Sequence, residues 1–348
     1  MKGNEAFAAA AIKGGCKYFF GYPITPQNEL PEYMSRELPK AGGCFLQAES
    51  EIAAINMVYG AACAGARVLT SSSSPGIALK QEGISFLASA ELPCVIINVS
   101  RAGPGIGGIQ PGQADYYQST RGGGNGDYQV IVYAPASVQE AVELTTDAFE
   151  TADYYRNPVM ILGDGMIGQM MEPVELREPK KRNLSPKKWA LTGTKGLRSN
   201  NTIKSLALEP DDLEKVNLKL KEKYDMIRKN EVRYESFNLE DAEIVFVAYG
   251  TVSRIVKAVI EELSLQNIKA GLIRPITLWP FPYEAFESLS TKTKCVMSIE
   301  MSLGQMVDDV RIAVNGSVPV DFYGRSGGNI PSPETIVQKA KKILGGAE

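Results

Sequence analysis

Two carboxylates, Glu49 and Glu51, flank Ser50 where a short apolar run, Phe45 to Ala48, meets a stretch of small and apolar residues, Ile52 to Gly65. That stretch reads as a helix with no polar face beyond Asn56. An acid in a first helical turn is stabilised by the free N–H groups and the macrodipole. For Glu49 this helix-end role is a sufficient account. Glu51 opens a helix expected to be buried on most sides. A carboxyl at the mouth of a buried helix is desolvated, so its pKa rises and it can hold or release a proton near neutral pH.

The chain contains no histidine. This excludes Ser-His-Asp and Cys-His nucleophilic machinery, zinc sites of the H-E-x-x-H kind and any histidine general base. Proton transfer must then fall to carboxylates, Lys, Tyr or a cofactor carrying its own acid–base group. Thr25 sits in Gly21-Tyr-Pro-Ile-Thr-Pro26, where two prolines stiffen the loop that leaves an apolar strand. Ligands bind at such strand ends in open α/β sheets. A stiff turn into the next helix is the alternative. Arg101 follows another strand, Cys94 to Val99.

Two motifs mislead. Gly103-Pro-Gly105-Ile-Gly-Gly108 fits G-x-G-x-x-G, but Gln110-Pro111-Gly112 breaks the helix that a dinucleotide site needs next. It reads as a glycine loop. Gly163-Asp-Gly165 resembles the start of the metal-and-diphosphate motif of thiamine enzymes. The paired Asn200-Asn201 lie too far away, across a Pro- and Lys-rich segment. It reads as a strand exit with no metal.

The elements that must position these residues alternate. Strands are expected at 16–20, 44–48, 67–70, 94–99, 129–133 and 159–162, with helices between them, which is the pattern of a doubly wound parallel sheet. We expect a first domain over 1–170, a linker with one charged helix over 171–240, and a second α/β domain over 241–348. The basic run around Lys180-Lys-Arg182 and Lys187-Lys188 reads as solvated surface. The five cysteines lack C-x-x-C spacing and read as buried free thiols. Net charge is −3 and the pI is near 5.5, which argues against nucleic acid. No apolar run approaches the roughly 20 residues that span a bilayer. The start, Met-Lys-Gly-Asn-Glu-Ala, lacks a signal-peptide core, so a cytoplasmic location is expected.

Tyr22-Pro-Ile-Thr-Pro26, Glu49-Ser-Glu51 with its small-residue helix, Thr70 to Gly76, Glu91-Leu-Pro93 and Asp115 through Asp127 together resemble the alpha chain of the 2-oxoacid:ferredoxin oxidoreductases. Gly271 to Pro275 and Leu278-Trp-Pro-Phe281 are similar to the transketolase carboxy-terminal domain. The resemblance covers nearly the whole chain. In length and linker it is nearest the multi-subunit type acting on 2-oxoisovalerate, with 2-oxoglutarate the close competitor.

The resemblance implies two doubly wound α/β domains, the first of the thiamine-diphosphate pyrimidine type. It implies thiamine diphosphate shared with a beta subunit that holds the diphosphate and Mg2+. Iron–sulfur clusters would lie in partner chains of gamma and delta type, ferredoxin would accept electrons, and coenzyme A would take the acyl group. Glu51 would hydrogen-bond the pyrimidine ring nitrogen and favour the imino tautomer, which takes the thiazolium proton. Thr25 and Arg101 match positions near the substrate, where the Arg101 guanidinium suits a carboxylate; a surface arginine capping a strand end is its plainer reading. Tyr22, Pro23 and Ile24, with Ser74, Pro75 and Gly76, match cofactor-binding positions. Two rival readings differ in class: a non-catalytic α/β scaffold subunit, and an NAD-dependent dehydrogenase resting on Gly103 to Gly108.

Overall fold

Strands rich in Val and Ile with no polar alternation are built for a sheet covered on both faces. In the structure, a computed structural model that describes residues 1–345, those runs are buried along their whole length. The first half contains α1 (Gly3–Lys13), β1 (Tyr18–Gly21), α2 (Glu29–Glu37), β2 (Cys44–Gln47), α3 (Glu51–Cys63), β3 (Val68–Ser72), α4 (Ser74–Ser89) and β4 (Cys94–Ser100). It continues through α5 (Tyr116–Thr120), β5 (Ile131–Tyr133), α6 (Val138–Tyr155), β6 (Pro158–Asp164) and α7 (Gly165–Gln169). A long stretch without helix or strand then leads to α8 (Pro210–Asn230). After it come β7 (Tyr234–Phe237), β8 (Ile244–Val247), α9 (Val252–Leu265), β9 (Ala270–Pro275), β10 (Thr277–Trp279), a 3-10 turn (Tyr283–Ser288), β11 (Cys295–Glu300), α10 (Met306–Val314), β12 (Val320–Gly324) and α11 (Pro333–Ile343). The last three residues of the expected second domain lie outside the described residues.

Two open sheets form. The larger has the order β10-β5-β6-β4-β3-β1-β2 and is parallel except for β10. The smaller has the order β12-β11-β8-β9-β7, with β7 alone antiparallel. In the larger sheet the chain moves from β1 outward to β2, then returns to place β3 on the other side of β1. The strand order therefore reverses at β1, and the crevice outside the carboxyl ends of β1 and β3 is a topological switch point. Thr25 leaves β1, and Ser72 to Gly76 leave β3, at that crevice.

Two strands cross the expected partition. β7 comes from the stretch read as linker and joins the smaller sheet. β10 comes from the second unit and pairs with β5 at the edge of the larger sheet. In the basic run Lys180, Lys181 and Lys188 are exposed as expected, and Arg182 and Lys187 are the exceptions. Arg182 makes a bidentate pair with the buried Glu231 at 2.7 and 2.8 Å, and its guanidinium lies over Tyr154 and Tyr155. Lys187 reaches Asp153 at 2.5 Å and the Gly65 carbonyl at 3.0 Å. The stretch before α8 is thus a strap pinned at Lys187 to Asp153 of the first unit and at Arg182 to Glu231 just beyond α8. Of the cysteines, Cys44 is exposed and the other four are buried and free, so the expectation of buried thiols fails at Cys44.

Candidate active site

Ser50 caps α3, accepting a hydrogen bond from the Ala53 amide at 3.1 Å, which is worth about 1 kcal/mol to the helix. The cap makes Glu51 the first helical residue. Glu51, Ala54, Ile55, Val58 and Ala62 form one buried stripe at helical spacing, so the Glu51 side chain points inward with them and is only 7% exposed. Glu49, outside the helix, is exposed and accepts from the Ser50 hydroxyl at 2.9 Å.

The stripe packs on α4, and two glycines of α4 permit the approach. A Cβ at Gly83 would stand 2.6 Å from Ile55 Cγ2. A Cβ at Gly76 would stand 2.7 Å from Glu51 Oε1 and 2.0 Å from Ser72 Oγ. Gly76 is therefore the cradle in which the carboxylate lies. Among the described residues no hydrogen bond ends on that carboxylate.

The floor of the crevice is polar and incompletely paired. Ser71 donates to Gln27 Oε1 at 2.6 Å. Among the described residues, the Ser72 and Ser73 hydroxyls, Gln27 Nε2 and Arg101 Nε are buried without partners. Buried polar atoms are normally satisfied, and these are exceptions. Ser74 is committed within the protein. Its hydroxyl donates to Asp115 Oδ2 at 2.7 Å and accepts from the Arg101 amide at 2.9 Å. Asn98 Nδ2 also donates to Asp115 Oδ2, at 2.8 Å. Burial pushes the Asp115 carboxyl up, and the bonds from Ser74, Asn98 and Ser100 and the charge of Arg101 pull it back.

Arg101 is buried and ties two loops together. Nη1 donates to the Thr25 carbonyl at 2.7 Å and Nη2 to the Ile106 carbonyl at 2.8 Å. The guanidinium therefore positions Thr25 through its backbone, while Nε stays unpaired. Thr25 Oγ1 accepts only a long 3.5 Å bond from Asn28. Tyr22 and Pro23 are exposed, Ile24 and Pro75 are half-buried, and Gly76 is buried. Glu51, Gly76, Gln27, Thr25 and Arg101 thus share one crevice edge. The loop over Gly103 to Gly108 is exposed and runs on without a helix until α5, so no dinucleotide cradle forms there.

Asp164 ends β6 and caps α7, accepting from the Met166 and Ile167 amides at 2.9 and 3.0 Å. Its other oxygen accepts from Thr251 at the start of α9, which joins the two sheets.

Several residues escaped the sequence reading. Lys80 is fully buried, and its Nζ donates to Thr70 Oγ1 at 2.7 Å. Burial pushes its pKa down to about 7, opposed by the charge of Glu51. A signal existed: Lys80 lies on the same stripe as Gly76, Ile77, Gly83, Ile84 and Leu87. Gln27, Ser72, Ser73 and Asp115 gave none, because their roles depend on contacts across the sheet.

The helix face beside the crevice is apolar and open. Ile52 and Met57 on α3 and Leu79 and Phe86 on α4 are exposed, and a Cβ at Gly60 would meet nothing within 4 Å. Burial of α3 on most sides was expected, and this stripe is the exception.

Residues 9–240 match the family model for pyruvate flavodoxin/ferredoxin oxidoreductase, thiamine-diphosphate-binding, and residues 242–336 match core domain II of pyruvate:ferredoxin oxidoreductase. The chain is 51% identical to the ketoisovalerate oxidoreductase subunit VorB of Methanothermobacter marburgensis, over 99% of this chain and 97% of that one. It is 39% identical to the 2-oxoglutarate synthase subunit KorA of Methanocaldococcus jannaschii, over 97% of each. A solved structure, the 2-oxoglutarate:ferredoxin oxidoreductase from Magnetococcus marinus with 2-oxoglutarate, coenzyme A and succinyl-CoA bound, superposes with a TM-score of 0.85 at 26% identity. That match covers 99% of this chain and 65% of that one. The chain belongs to the 2-oxoacid:ferredoxin oxidoreductases, as an alpha-type subunit.

Proposed function

We propose that this chain supplies the pyrimidine-facing half of a thiamine-diphosphate site. The holoenzyme would decarboxylate 2-oxoisovalerate oxidatively to an acyl-coenzyme A and CO2, with ferredoxin as electron acceptor. The observation that carries the reading is the Glu51 carboxylate, buried over Gly76 and free of any hydrogen bond from the described residues. The residues present fit the cofactor's ring. Glu51 offers a carboxyl to a ring nitrogen, and the unpaired Gln27, Ser72 and Ser73 groups offer further polar partners. When bound, thiamine diphosphate supplies the carbon nucleophile and an aminopyrimidine that moves protons, which suits a chain without histidine.

Glu51 holds or gives a proton at the ring nitrogen. Gly76 leaves room for its carboxylate. Ser74, Asn98 and Asp115 brace Arg101, and Arg101 fixes the Thr25 loop over the crevice. The unpaired Nε and the second N–H of each terminal nitrogen remain for a substrate carboxylate.

The diphosphate, Mg2+ and the iron–sulfur clusters belong in this reading to beta, gamma and delta partner subunits. The apolar stripe of Ile52, Met57, Leu79 and Phe86 supports a beta subunit that closes the crevice. Identity of 51% with a ketoisovalerate oxidoreductase subunit supports the branched substrate. The rival is 2-oxoglutarate, supported by the 2-oxoglutarate synthase relative and the Magnetococcus marinus structure. A second carboxylate asks for a second cation, and of the cations described above Lys80 is fully buried behind Gly76. Initial rates on a panel of 2-oxoacids, with coenzyme A and a ferredoxin substitute, test this in the reconstituted complex. A wide preference for 2-oxoglutarate would replace the first choice with the second.

A further inference from the structure

We propose that Lys80 is a positioning residue for Glu51, holding a positive charge behind that carboxylate and so setting how readily it takes a proton. This rests on the reading of Glu51 as the acid facing the cofactor ring.

Lys80 and Gly76 are four residues apart on one face of α4, and Gly76 carries the Glu51 carboxylate against it. The lysine is completely buried and makes one hydrogen bond, to Thr70 of β3. Its other N–H groups have no partner among the described residues. An ammonium in such a place is disfavoured unless an anion faces it, and an apolar residue of similar length would fill the space without that cost.

The anion is Glu51. α4 packs most heavily on α3 and also on β4 and β6, meets β3 at Thr70, and meets the segment after β4 at Asp115, which is held by Ser74 and Asn98, and at Tyr128, which is bonded to Gln81. Besides Glu51, α3 carries Tyr59 and Cys63, whose pKa values burial raises, so both stay neutral. β4 brings Cys94, pushed up to about 12 by burial. β6 brings Asp164, which is engaged with the start of α7 and with Thr251. On α4 itself Glu82 is exposed. Glu51 alone acts on Lys80 by charge.

No direct ion pair joins the two groups, so the coupling acts through space, and it is reciprocal. A charge on either group acts on the other to the same degree. Burial brings the lysine down to about 7, so near neutral pH the charge behind Glu51 is itself titratable.

The test is the protonation midpoint of Glu51 in the reconstituted complex. The carboxyl band in infrared difference spectra would be assigned by its loss in Glu51→Gln. Lys80→Met and Lys80→Gln both remove the charge, one apolar and one polar. Each should raise the Glu51 midpoint by at least about one pH unit, the scale of a nearby opposite charge. Because the two replacements differ in polarity and shape, agreement between them assigns the shift to charge. The pH profile of thiazolium C2 deuterium exchange should move upward with the midpoint. An unchanged midpoint in both variants overturns the proposal. Deuterium exchange in Glu51→Gln separately tests the reading on which it rests. If that exchange is as fast as wild type while the Lys80 variants still move the midpoint, the cofactor role of Glu51 falls and the Lys80 coupling stands.

Discussion

At the scale of single residues, Glu51 and Glu49 differ in burial and in pairing. The carboxylate at 51 is buried and unpaired; the one at 49 is exposed and bonded to Ser50. Glu51→Gln keeps the shape but cannot exchange a proton with a ring nitrogen. We expect thiazolium C2 deuterium exchange to slow by about 10²–10⁴, the usual worth of a positioned acid–base group. Glu49→Gln should leave exchange near wild type and change stability by roughly 0.3–1 kcal/mol at most. The opposite ranking would mean the roles are reversed. Arg101→Lys is a different test, because the guanidinium spans two carbonyls that one ammonium cannot reach together. We expect the KM for the 2-oxoacid to rise, with a loss of roughly 1–3 kcal/mol, and cofactor affinity to change little. An unmoved KM would confine Arg101 to loop structure.

At the scale of elements, the site depends on how closely α3 lies on α4. Gly83 marks the tightest part, since any side chain there meets Ile55. Gly83→Val should cost about 1–3 kcal/mol through overpacking, read as a lowered Tm, and should weaken cofactor binding by displacing Glu51. A variant as stable as wild type would show that the helices have room to separate. The helices and strands that build this seam were legible because their periodicity is strong and Gly and Pro punctuate their ends. The elements missed were short or set by pairing. β10 has three residues and exists because β5 offers it an edge, and α7 forms because Asp164 caps it. Within the site, residues in motifs were visible: Glu51, Thr25, Arg101 and Gly76. Lys80 and Asp115 were not, because a sequence shows that a charge is present and not which face of the sheet it will meet. The two anchors of the strap were missed for the same reason, since Arg182 and Lys187 stand in a basic run and their acids lie far away beside β7 and on α6.

At the scale of the whole molecule, the two sheets are joined in several independent ways. Gln113 exchanges hydrogen bonds with Met301 and donates to the Tyr249 carbonyl. Arg274 pairs with Glu140, Asp164 accepts from Thr251, and β10 lies in the other unit's sheet. The strap adds a belt of ion pairs, of which the half-buried Arg182–Glu231 pair would cost less to break than the roughly 3–5 kcal/mol of a fully buried one. Its outermost turn is different. Around Gly193 to Ser199 the hydrogen bonds are local, from Arg198 to the Ala190, Gly193 and Ser199 carbonyls, and Lys195 is exposed. Covalent continuity at that turn therefore contributes little to the fold. Limited trypsin treatment should cut first near Lys195 or Arg198, and the two fragments should co-elute as one particle with the Tm of the uncut chain. Separation of the fragments on sizing would show that the belt alone does not hold them. By the same reasoning, a gene divided at this turn would encode two polypeptides that find each other as the halves of a split protein do.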